Sequence, residues 1–279
     1  MTITPVTRSQ HSTQAPLDHV NGTPIPARPD APDDGRYVSK AEYWATYYDH
    51  ADASYEWNDG YLEAKPLPTQ VQYNLYLWFL LLLKQYVQVY QNSWLMGLET
   101  GFSMTVPDLK LPGRFKETVR KPDIAVIRYD NPTPWGELER SYSGICDLCV
   151  EALSDSSNVE IERDTKVKKA EYEFAGVQEY YILDPSDEHM HFYERTATGV
   201  YVGMLPDAEG VIHSNVLPGF QFRLRDLYRK PSLETLAVDE VYQGYVLLEY
   251  QAALARAEAL AAELAQAQAE LARLRKQQG

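Results

Sequence analysis

The chain contains only two cysteines in 279 residues, Cys146 and Cys149. Two cysteines are too few for the disulfide framework of a small secreted domain, and so low a number suits a reducing compartment. The first residues also contain no continuous apolar segment of the kind that a secretory signal needs. These two absences predict a cytoplasmic protein.

The two cysteines form a single C-x-x-C pair, which is one half of a common zinc-binding pattern. Zinc requires a second such pair, or histidines at ligand spacing, in addition. His189 and His191 share one face of a predicted strand without an apparent third ligand, and we interpret them as surface residues. Residues three apart on a strand point to opposite faces, so we predict that both cysteines are buried structural residues.

Long hydrophobic runs are missing as well. The longest, Leu75 to Leu83, ends at Lys84, whereas a membrane span needs about 20 apolar residues. We therefore predict no membrane-spanning segment. The sequence also lacks the glycine-rich loops that bind phosphates or dinucleotides and the G-x-S-x-G turn of serine hydrolases.

Positive charge is scarce, because 26 lysines and arginines face 40 aspartates and glutamates, for a formal net charge of -14. Such a charge opposes association with nucleic acid, whose backbone is anionic. Basic residues do cluster locally, since Arg163, Lys166, Lys168 and Lys169 occupy one short segment. Binding of nucleic acid would therefore depend on local positive charge and on a bridging metal ion.

The composition divides the chain into three regions. Residues 1–36 contain six prolines and little apolar periodicity, which predicts a disordered arm. Residues 37–230 form the predicted main domain, and residues 231–279 a C-terminal helical segment. From Ala253 to Leu274, apolar residues recur at alternating steps of four and three, the a/d pattern of a coiled coil. The seam is short and half alanine, so a self-associating coiled coil and a solitary solvated helix both stay open.

The main domain shows the pattern of a mixed α/β fold. Asp59-Gly60 between alternating segments predicts a β-hairpin. Residues 70–91 predict a helix that is apolar nearly all round and therefore buried. A helix over 159–175 interrupts a series of predicted strands. Those strands are 95–105, 121–128, 146–153, 179–184, 189–195, 200–204 and 211–216. A strand, a helix and a strand joined by short loops predict a crossover connection in a mixed sheet.

Two acidic residues stand at the ends of predicted strands. Asp123 begins one apolar strand, and Glu151 lies near the end of another. Two carboxylates that converge form a site for a hard divalent cation. Asp123 can also be explained as a turn residue, but a glutamate in an apolar strand is rarely buried without a partner.

The predicted helix over 159–175 has three different faces. Glu162 with Lys166, and Lys169 with Glu173, are spaced as exposed ion pairs. An apolar stripe contains Val167, Ala170 and Phe174.

Lys168 falls on the third face of this helix, beside Ile161, Tyr172 and Ala175. A lysine covered by such neighbours needs an anionic partner, and Asp123 and Glu151 are the candidates. A side chain that extends past Tyr172 to water is the alternative.

Four stretches of the sequence carry a family resemblance. They are KPDIAV at 121–126, LCVEALS at 148–154, RDTKVKKAEY at 163–172 and AGVQEYYILDP at 175–185. With these motifs the chain resembles the Uma-two family of restriction-endonuclease-like proteins, part of the PD-(D/E)xK nuclease superfamily, over roughly residues 37–230.

The resemblance implies a restriction-endonuclease-like core, with a central mixed sheet flanked by helices. It also implies that Asp123 and Glu151 hold Mg²⁺ or Mn²⁺ and that Lys168 is the catalytic lysine. In the usual motif the lysine stands two residues after the second acid, where this chain has Leu153, so here a helix would supply it. Tyr172, one helical turn further, would share the pocket wall.

Two features depart from the family pattern or extend it. The family often has a histidine at the start of the helix after the hairpin, where this chain reads Thr-Gln-Val-Gln at 69–72. The hairpin acids Glu56 and Glu63 match the acidic pattern of the family. We favour a surface role for both, with Glu56 as an accessory candidate for the site.

Two hypotheses for the function follow. The first is a metal-dependent endonuclease that hydrolyses DNA, acting as a homodimer that forms through the C-terminal helix. The second is a catalytically inactive module with a nuclease fold that binds nucleic acid or takes part in assembly. The negative charge, the missing histidine and the coiled-coil pattern favour the second hypothesis.

Overall fold

A computed structural model describes residues 19–20, 23–24, 30–97, 99–153 and 157–277 of the chain. Their strands are β1 His19–Val20, β2 Thr23–Pro24, β3 Tyr55–Asn58, β4 Tyr61–Ala64, β5 Ser93–Met96, β6 Phe102–Pro107, β7 Phe115–Arg120, β8 Ile124–Arg128, β9 Leu148–Ala152, β10 Glu179–Leu183, β11 His191–Arg195, β12 Tyr201–Gly203, β13 Val211–His213 and β14 Gln221–Arg223. Their helices are α1 Lys40–Glu42, α2 Gln70–Tyr90, α3 Asn158–Glu162, α4 Lys169–Ala175, α5 Leu224–Arg229, α6 Leu233–Ala237 and α7 Leu248–Gln277, with π-helical turns at Tyr43–Tyr47 and Arg163–Lys168.

The central sheet has six strands in the order β12-β11-β10-β9-β8-β5. Strands β9 and β10 are parallel, and each other neighbouring pair in this sheet is antiparallel. The helix formed by α3, the π-helical turn and α4 connects β9 to β10. The predicted crossover and the mixed sheet are therefore confirmed. The helix ends at Gly176, whose φ of 100° lies in the left-handed region that favours glycine.

Helix α2 covers one face of the central sheet. Its residues Phe79 and Leu82 are fully buried in a core that also contains Ile124 and Val150. The same helix exposes Val71 by 56%. The prediction of a helix buried on all sides was therefore wrong, because only one side of α2 faces the sheet.

A second sheet has four strands in the order β4-β3-β7-β6. The predicted hairpin is confirmed, since Asp59 and Gly60 have φ values of 51° and 98° between β3 and β4. Strand β7 was not predicted, because its polar first half hides the apolar pattern. The single strand expected over 95–105 is in fact two strands, β5 and β6, which belong to different sheets.

The segment 30–36 belongs to the folded domain and not to the predicted disordered arm. The Gly35 N–H donates to the carbonyl of Leu62 at 2.8 Å, and the Leu62 N–H donates to the carbonyl of Arg36 at 2.9 Å. Ala31 is only 3% exposed. The remaining residues of the predicted arm lie outside the described ranges, apart from the short pair β1 and β2.

The C-terminal part of the chain consists of α6, a region of turns and then α7, so the helical segment predicted over 231–279 is interrupted. Helix α7 buries none of its side chains. In the part of the chain that the structure describes, no helix combines the length and the hydropathy that crossing a bilayer requires.

Both cysteines are free thiols, buried in the same core cluster. Their predicted structural role fits this burial, but the prediction that they face opposite sides was wrong. Cys146 precedes β9, so the alternation of a strand does not apply to it.

Candidate active site

Strands β8 and β9 bring the two predicted carboxylates together. Ile124 pairs with Val150 in the antiparallel register, so Asp123 lies beside Glu151 one step further along. The backbone N–H of Ala152 donates to Asp123 Oδ2 at 2.7 Å, which holds the aspartate against the end of β9. Alternation along the strands places both carboxylates on the sheet face opposite α2.

Lys168 reaches the same point from the crossover helix. Its Nζ lies 3.1 Å from Glu151 Oε1, 3.1 Å from Asp164 Oδ1 and 3.3 Å from Glu56 Oε1. The side chain is 2% exposed. The alternative in which Lys168 extends to water is therefore wrong, and the lysine is held by three carboxylates.

The crossover helix turns a charged face inward. Asp164, Lys168, Glu171 and Tyr172 are buried, while Phe174 of the predicted apolar stripe is 50% exposed. The π-helical turn over Arg163–Lys168 places Asp164 and Lys168 on this inner face, and π-helical turns are frequent at functional sites. Which side chains of this helix are buried is therefore decided by their ion-pair partners and not by their hydrophobicity.

The predicted exposed pairs of this helix are partly confirmed. Lys166 and Glu162 form an ion pair at 2.7 Å in which both side chains are more than 60% exposed. Glu173 does not pair with Lys169, because it accepts the backbone N–H of Tyr201. Lys169 instead places its Nζ 4.7 Å from the ring centre of Tyr193.

Asp123, Glu151 and Lys168 line one cavity of about 280 Å³. Tyr172 stands behind this cavity, and its hydroxyl donates to Glu151 Oε1 at 2.9 Å. The three predicted site residues and the accessory tyrosine therefore meet at one place in the fold.

Lys65 is a member of the site that the sequence did not predict. Its Nζ lies 2.8 Å from Asp123 Oδ1 and donates to the carbonyl of Lys121 at 2.6 Å. The side chain lines the cavity and is 13% exposed. Lys65 directly follows β4, and a lysine is common at the end of a hairpin. The local sequence therefore contains no sign that this lysine belongs to the site.

Glu56 is also part of the site, and the favoured surface role for it was wrong. It is fully buried, its Oε1 accepts the backbone N–H of Lys121 at 2.8 Å, and its Oε2 lies 3.1 Å from Arg120. The other hairpin acid, Glu63, is 26% exposed and also pairs with Arg120. The hairpin thus presents carboxylates to the interior.

Arg120 is a fully buried cation behind the cavity. Its guanidinium binds both carboxylate oxygens of Glu171, at 2.7 and 3.1 Å, and also contacts Glu56 and Glu63. Lys116 adds a further contact to Glu171 at 2.8 Å. This network connects strand β7, the hairpin and helix α4 by charge-assisted hydrogen bonds.

We use the name ionic cluster for the carboxylates and cations around the cavity. The carboxylates are Glu56, Glu63, Asp123, Glu151, Asp164 and Glu171, and the cations are Lys65, Lys116, Arg120, Arg163 and Lys168.

Burial and charge act in opposite directions on this cluster. Burial raises the pKa of Glu151 to about 8, although Lys168 acts against that rise. Burial alone would lower the pKa of Lys168, but the carboxylates around it, Asp164 first, outweigh burial and raise it. Burial would likewise raise the pKa of Glu56, yet Lys168 and Arg120 hold it below its ordinary value. Glu151 is thus a carboxyl group of the cluster whose ionised form burial disfavours.

The donors at the site suit a hard divalent cation. Asp123 and Glu151 supply carboxylate oxygens from adjacent strand ends to one cavity. A bound cation would offset the free-energy cost of a buried negative charge on Glu151. Within the described ranges, no three acidic, histidine or cysteine side chains are spaced to hold a metal by themselves. One or two carboxylates, completed by water and substrate oxygens, are the ligands that Mg²⁺ usually takes.

Comparison with known protein families settles the family. Residues 41–225 match the model of the Uma2 family, which is described as "putative restriction endonuclease". The chain belongs to the Uma2 family. This is the family that the sequence motifs resemble, and the matched residues include Asp123, Glu151 and Lys168. The match supports a nuclease function, with nucleic acid as the substrate, at the level of the family.

A solved structure shows the same fold. It is the crystal structure of a "putative nuclease" from Anabaena variabilis, with a TM-score of 0.51 and 15% sequence identity. The likeness covers 69% of this chain and 98% of that chain. This confirms the predicted restriction-endonuclease-like core. No curated protein matches the chain.

Proposed function

We propose that this Uma2 protein is a metal-dependent endonuclease that hydrolyses phosphodiester bonds of DNA, with Mg²⁺ or Mn²⁺ as its cofactor. The observation that carries the proposal is the meeting of Asp123, Glu151 and Lys168 at one cavity, with Lys168 Nζ 3.1 Å from Glu151 Oε1. Oxygen ligands from adjacent strands and a buried ammonium group are the components that metal-assisted phosphodiester hydrolysis needs.

Each residue of the site has a part in this mechanism. Asp123 and Glu151 would hold the metal ion. When bound, a divalent cation polarises the scissile phosphate and lowers the pKa of a water molecule. The ammonium group of Lys168 offsets the negative charge that develops on the phosphate, or orients the attacking water.

Three neighbours hold these groups in place. The Tyr172 hydroxyl fixes the Glu151 carboxylate by its hydrogen bond at 2.9 Å. Asp164 and Glu56 hold the ammonium group of Lys168, at 3.1 and 3.3 Å. Such groups stabilise a charged transition state without having to reorganise during the reaction.

The test is cleavage of supercoiled plasmid and of single-stranded circular DNA in the presence of Mg²⁺ or Mn²⁺. Lys168→Met, Glu151→Gln and Asp123→Asn are each expected to lower the rate by about 10²- to 10³-fold, as loss of a charge-stabilising group does. Lys166→Met is the matched control, because Lys166 is an exposed lysine of the same helix. Equal nicking by the wild type and the Lys168 variant would reject the assignment.

A second candidate function is a nuclease-fold module that binds nucleic acid or assembles without catalysis. The observation that favours it is that each proposed metal ligand already forms an ion pair with a lysine. Asp123 pairs with Lys65 and Glu151 pairs with Lys168. Calorimetry distinguishes the two candidates. Absence of Mn²⁺ binding at millimolar concentration, with salt-sensitive binding of DNA intact, would favour the module.

We also propose a homodimer that forms through α7. Leu260, Leu264, Leu271 and Leu274 on its heptad seam are between 44% and 65% exposed, and exposed leucines at this spacing are typical of coiled-coil partners. Molecular mass in solution, measured with and without α7, tests the proposal.

A further inference from the structure

The mouth of the active-site cavity has an apolar rim that the mechanism above does not use. We define the rim as Pro66, Leu67, Pro68, Tyr73 and Tyr76, all of which line the cavity. Leu67 is 78% exposed and Tyr73 is 48% exposed. Apolar side chains left in water beside a charged cavity are typical of a binding surface. The rim is therefore a candidate contact for the part of the substrate that is not reacting.

Helix α2 and the loop before it fix the rim in place. Thr69 caps the helix, with its side chain and that of Gln72 reciprocally bound to the backbone, so two free N–H groups at the start of the helix are satisfied. Tyr73 and Tyr76 follow one turn apart, with ring centres 6.3 Å apart and planes tilted by 32°. Tyr76 and Asp123 line the same cavity, so the aromatic rim lies close to the proposed metal ligands.

The cavity thus has two chemically different ends. Its floor holds the carboxylates Asp123 and Glu151 with the cations Lys65, Arg163 and Lys168, and its rim is aromatic and aliphatic. A nucleotide has matching ends, a phosphate that suits a metal and cations and a flat base that stacks on aromatic rings. With a volume of about 280 Å³, the cavity is near the lower limit of about 300 Å³ for small-ligand pockets.

Charge around the mouth disfavours an intact duplex. Three acidic residues, Asp30, Asp52 and Glu99, also line the cavity, and the whole chain carries a net charge of -14. A duplex brings one negative charge per roughly 1.7 Å of its axis. Stacking of a base on an aromatic ring needs no positive charge, and it contributes about 1–3 kcal/mol per base.

We propose that the rim binds the base of an unpaired nucleotide, with Tyr73 as its stacking platform, so that the substrate of the site is single-stranded nucleic acid. A base within a duplex is covered on both faces by its neighbours and must leave the stack to reach such a surface. The inference rests on the proposed function, because the floor of the cavity would receive the phosphate of the same nucleotide.

The test measures binding without cleavage. Fluorescence anisotropy in EDTA compares a labelled oligothymidylate, an oligouridylate of the same length and the matching duplex. Wild-type protein is expected to bind a single strand more tightly than the duplex. The two single strands differ only in sugar and in one methyl group, so their order identifies DNA or RNA as the preferred source of the unpaired nucleotide.

Three variants test the role of the rim. Tyr73→Ser is expected to weaken binding of the single strand by about 5- to 150-fold, the loss of one stacked base. Tyr73→Phe keeps the ring and is expected to bind as the wild type does. Tyr250→Ser is the matched control, because Tyr250 is 40% exposed on α7, away from the cavity. Circular dichroism verifies that each variant is folded.

Two results would overturn the inference: unchanged binding of the single strand by Tyr73→Ser, or tighter binding of the duplex by the wild type. Its failure can be told apart from failure of the proposed function. If plasmid nicking requires Lys168 but Tyr73→Ser binds normally, only the assignment of the rim is wrong. If Tyr73→Ser loses binding while no metal supports cleavage, the rim is supported and the hydrolase is not.

Discussion

The two faces of the central sheet are equally buried but are stabilised in different ways. Val150 and Glu151 are neighbours on β9 and are 0% and 2% exposed. Val150 packs into the apolar core beneath α2, whereas Glu151 meets Lys168 and Tyr172 on the other face. The apolar face gains free energy from each side chain that it removes from water. The other face also buries an apolar cluster that includes Cys149 and Tyr180, but the charged groups around Glu151 need partners of opposite charge to stay buried.

This difference indicates why the charged face exists. A buried ion pair contributes little net stability, because loss of hydration offsets its attraction, and apolar replacements of similar volume are often as stable. Within the ionic cluster, burial raises the pKa of Glu151 to about 8, so the ionised form of this carboxyl group is disfavoured. A set of charges that stability alone does not require is consistent with a site kept for chemistry.

The largest expected effect comes from breaking the charged face at Arg120. Arg120→Met leaves Glu171, Glu56 and Glu63 without their common cation and is expected to lower the free energy of unfolding by about 3–5 kcal/mol. Urea denaturation measures this change. Arg114→Met is the control, because Arg114 is 48% exposed in its ion pair with Asp59 and should change stability by less than about 1 kcal/mol. Similar small losses for both variants would contradict the prediction.

The apolar face is tested at Leu82, which is fully buried between α2 and the sheet. Leu82→Ala removes apolar contacts and leaves a cavity, and is expected to lower the free energy of unfolding by about 3 kcal/mol. Leu81→Ala on the same helix, where the leucine is 39% exposed, should have a clearly smaller effect. Urea denaturation at low and at high salt tests the apolar nature of this face. The decrease in the free energy of unfolding caused by Leu82→Ala should be the same at both salt concentrations. A loss at Leu82 no larger than that at Leu81 would contradict this account.

A smaller effect is expected at Lys65, whose ammonium group lies 2.8 Å from Asp123 Oδ1. A divalent cation that takes Asp123 must compete with this lysine. Lys65→Met is therefore expected to tighten Mn²⁺ binding by about tenfold or more, since a charge at this distance commonly shifts an equilibrium by that amount. Calorimetry on Lys65→Met and on the exposed control Lys166→Met measures the change. Unchanged or weaker binding by Lys65→Met would show that the lysine does not compete for the site.

The smallest effect is expected from truncation after Ala255, which removes only exposed residues of α7. The free energy of unfolding of the remaining protein should change by less than about 0.5 kcal/mol, because no buried contact is lost. Light scattering on the same samples reports the molecular mass. A halved mass after truncation would support the proposed homodimer through α7, and an unchanged mass would oppose it.

The site was predictable where a residue conflicts with its own local pattern. Glu151 is an acid in an apolar strand, and Lys168 falls on a covered face of its helix, so each needed a partner of opposite charge. Lys65 and Glu56 show no such conflict, because each fits an ordinary hairpin. Their burial depends on how the hairpin packs against the crossover helix, which no short stretch of sequence encodes.

The fold, like the site, was predictable only where a local pattern in the sequence is clear. Apolar periodicity predicted most strands of the central sheet, the hairpin and the crossover helix, because these patterns repeat within a few residues. Strand β7 was missed since its first half is polar, and the break between β5 and β6 was missed because both segments have strand character. Phe174 shows the reverse case, an aromatic residue that is exposed because the opposite face of its helix carries the ion pairs.

The sequence alone indicated the family, the mixed sheet and the candidate site residues Asp123, Glu151 and Lys168, because motif spacing and local periodicity are properties of short stretches of chain. Only the tertiary structure decided that Lys65 pairs with Asp123, that Glu56 and Arg120 stand behind the cavity, and that an apolar rim forms its mouth. These features arise where segments far apart in the chain pack together, and the free energy of a charge depends on what surrounds it after packing.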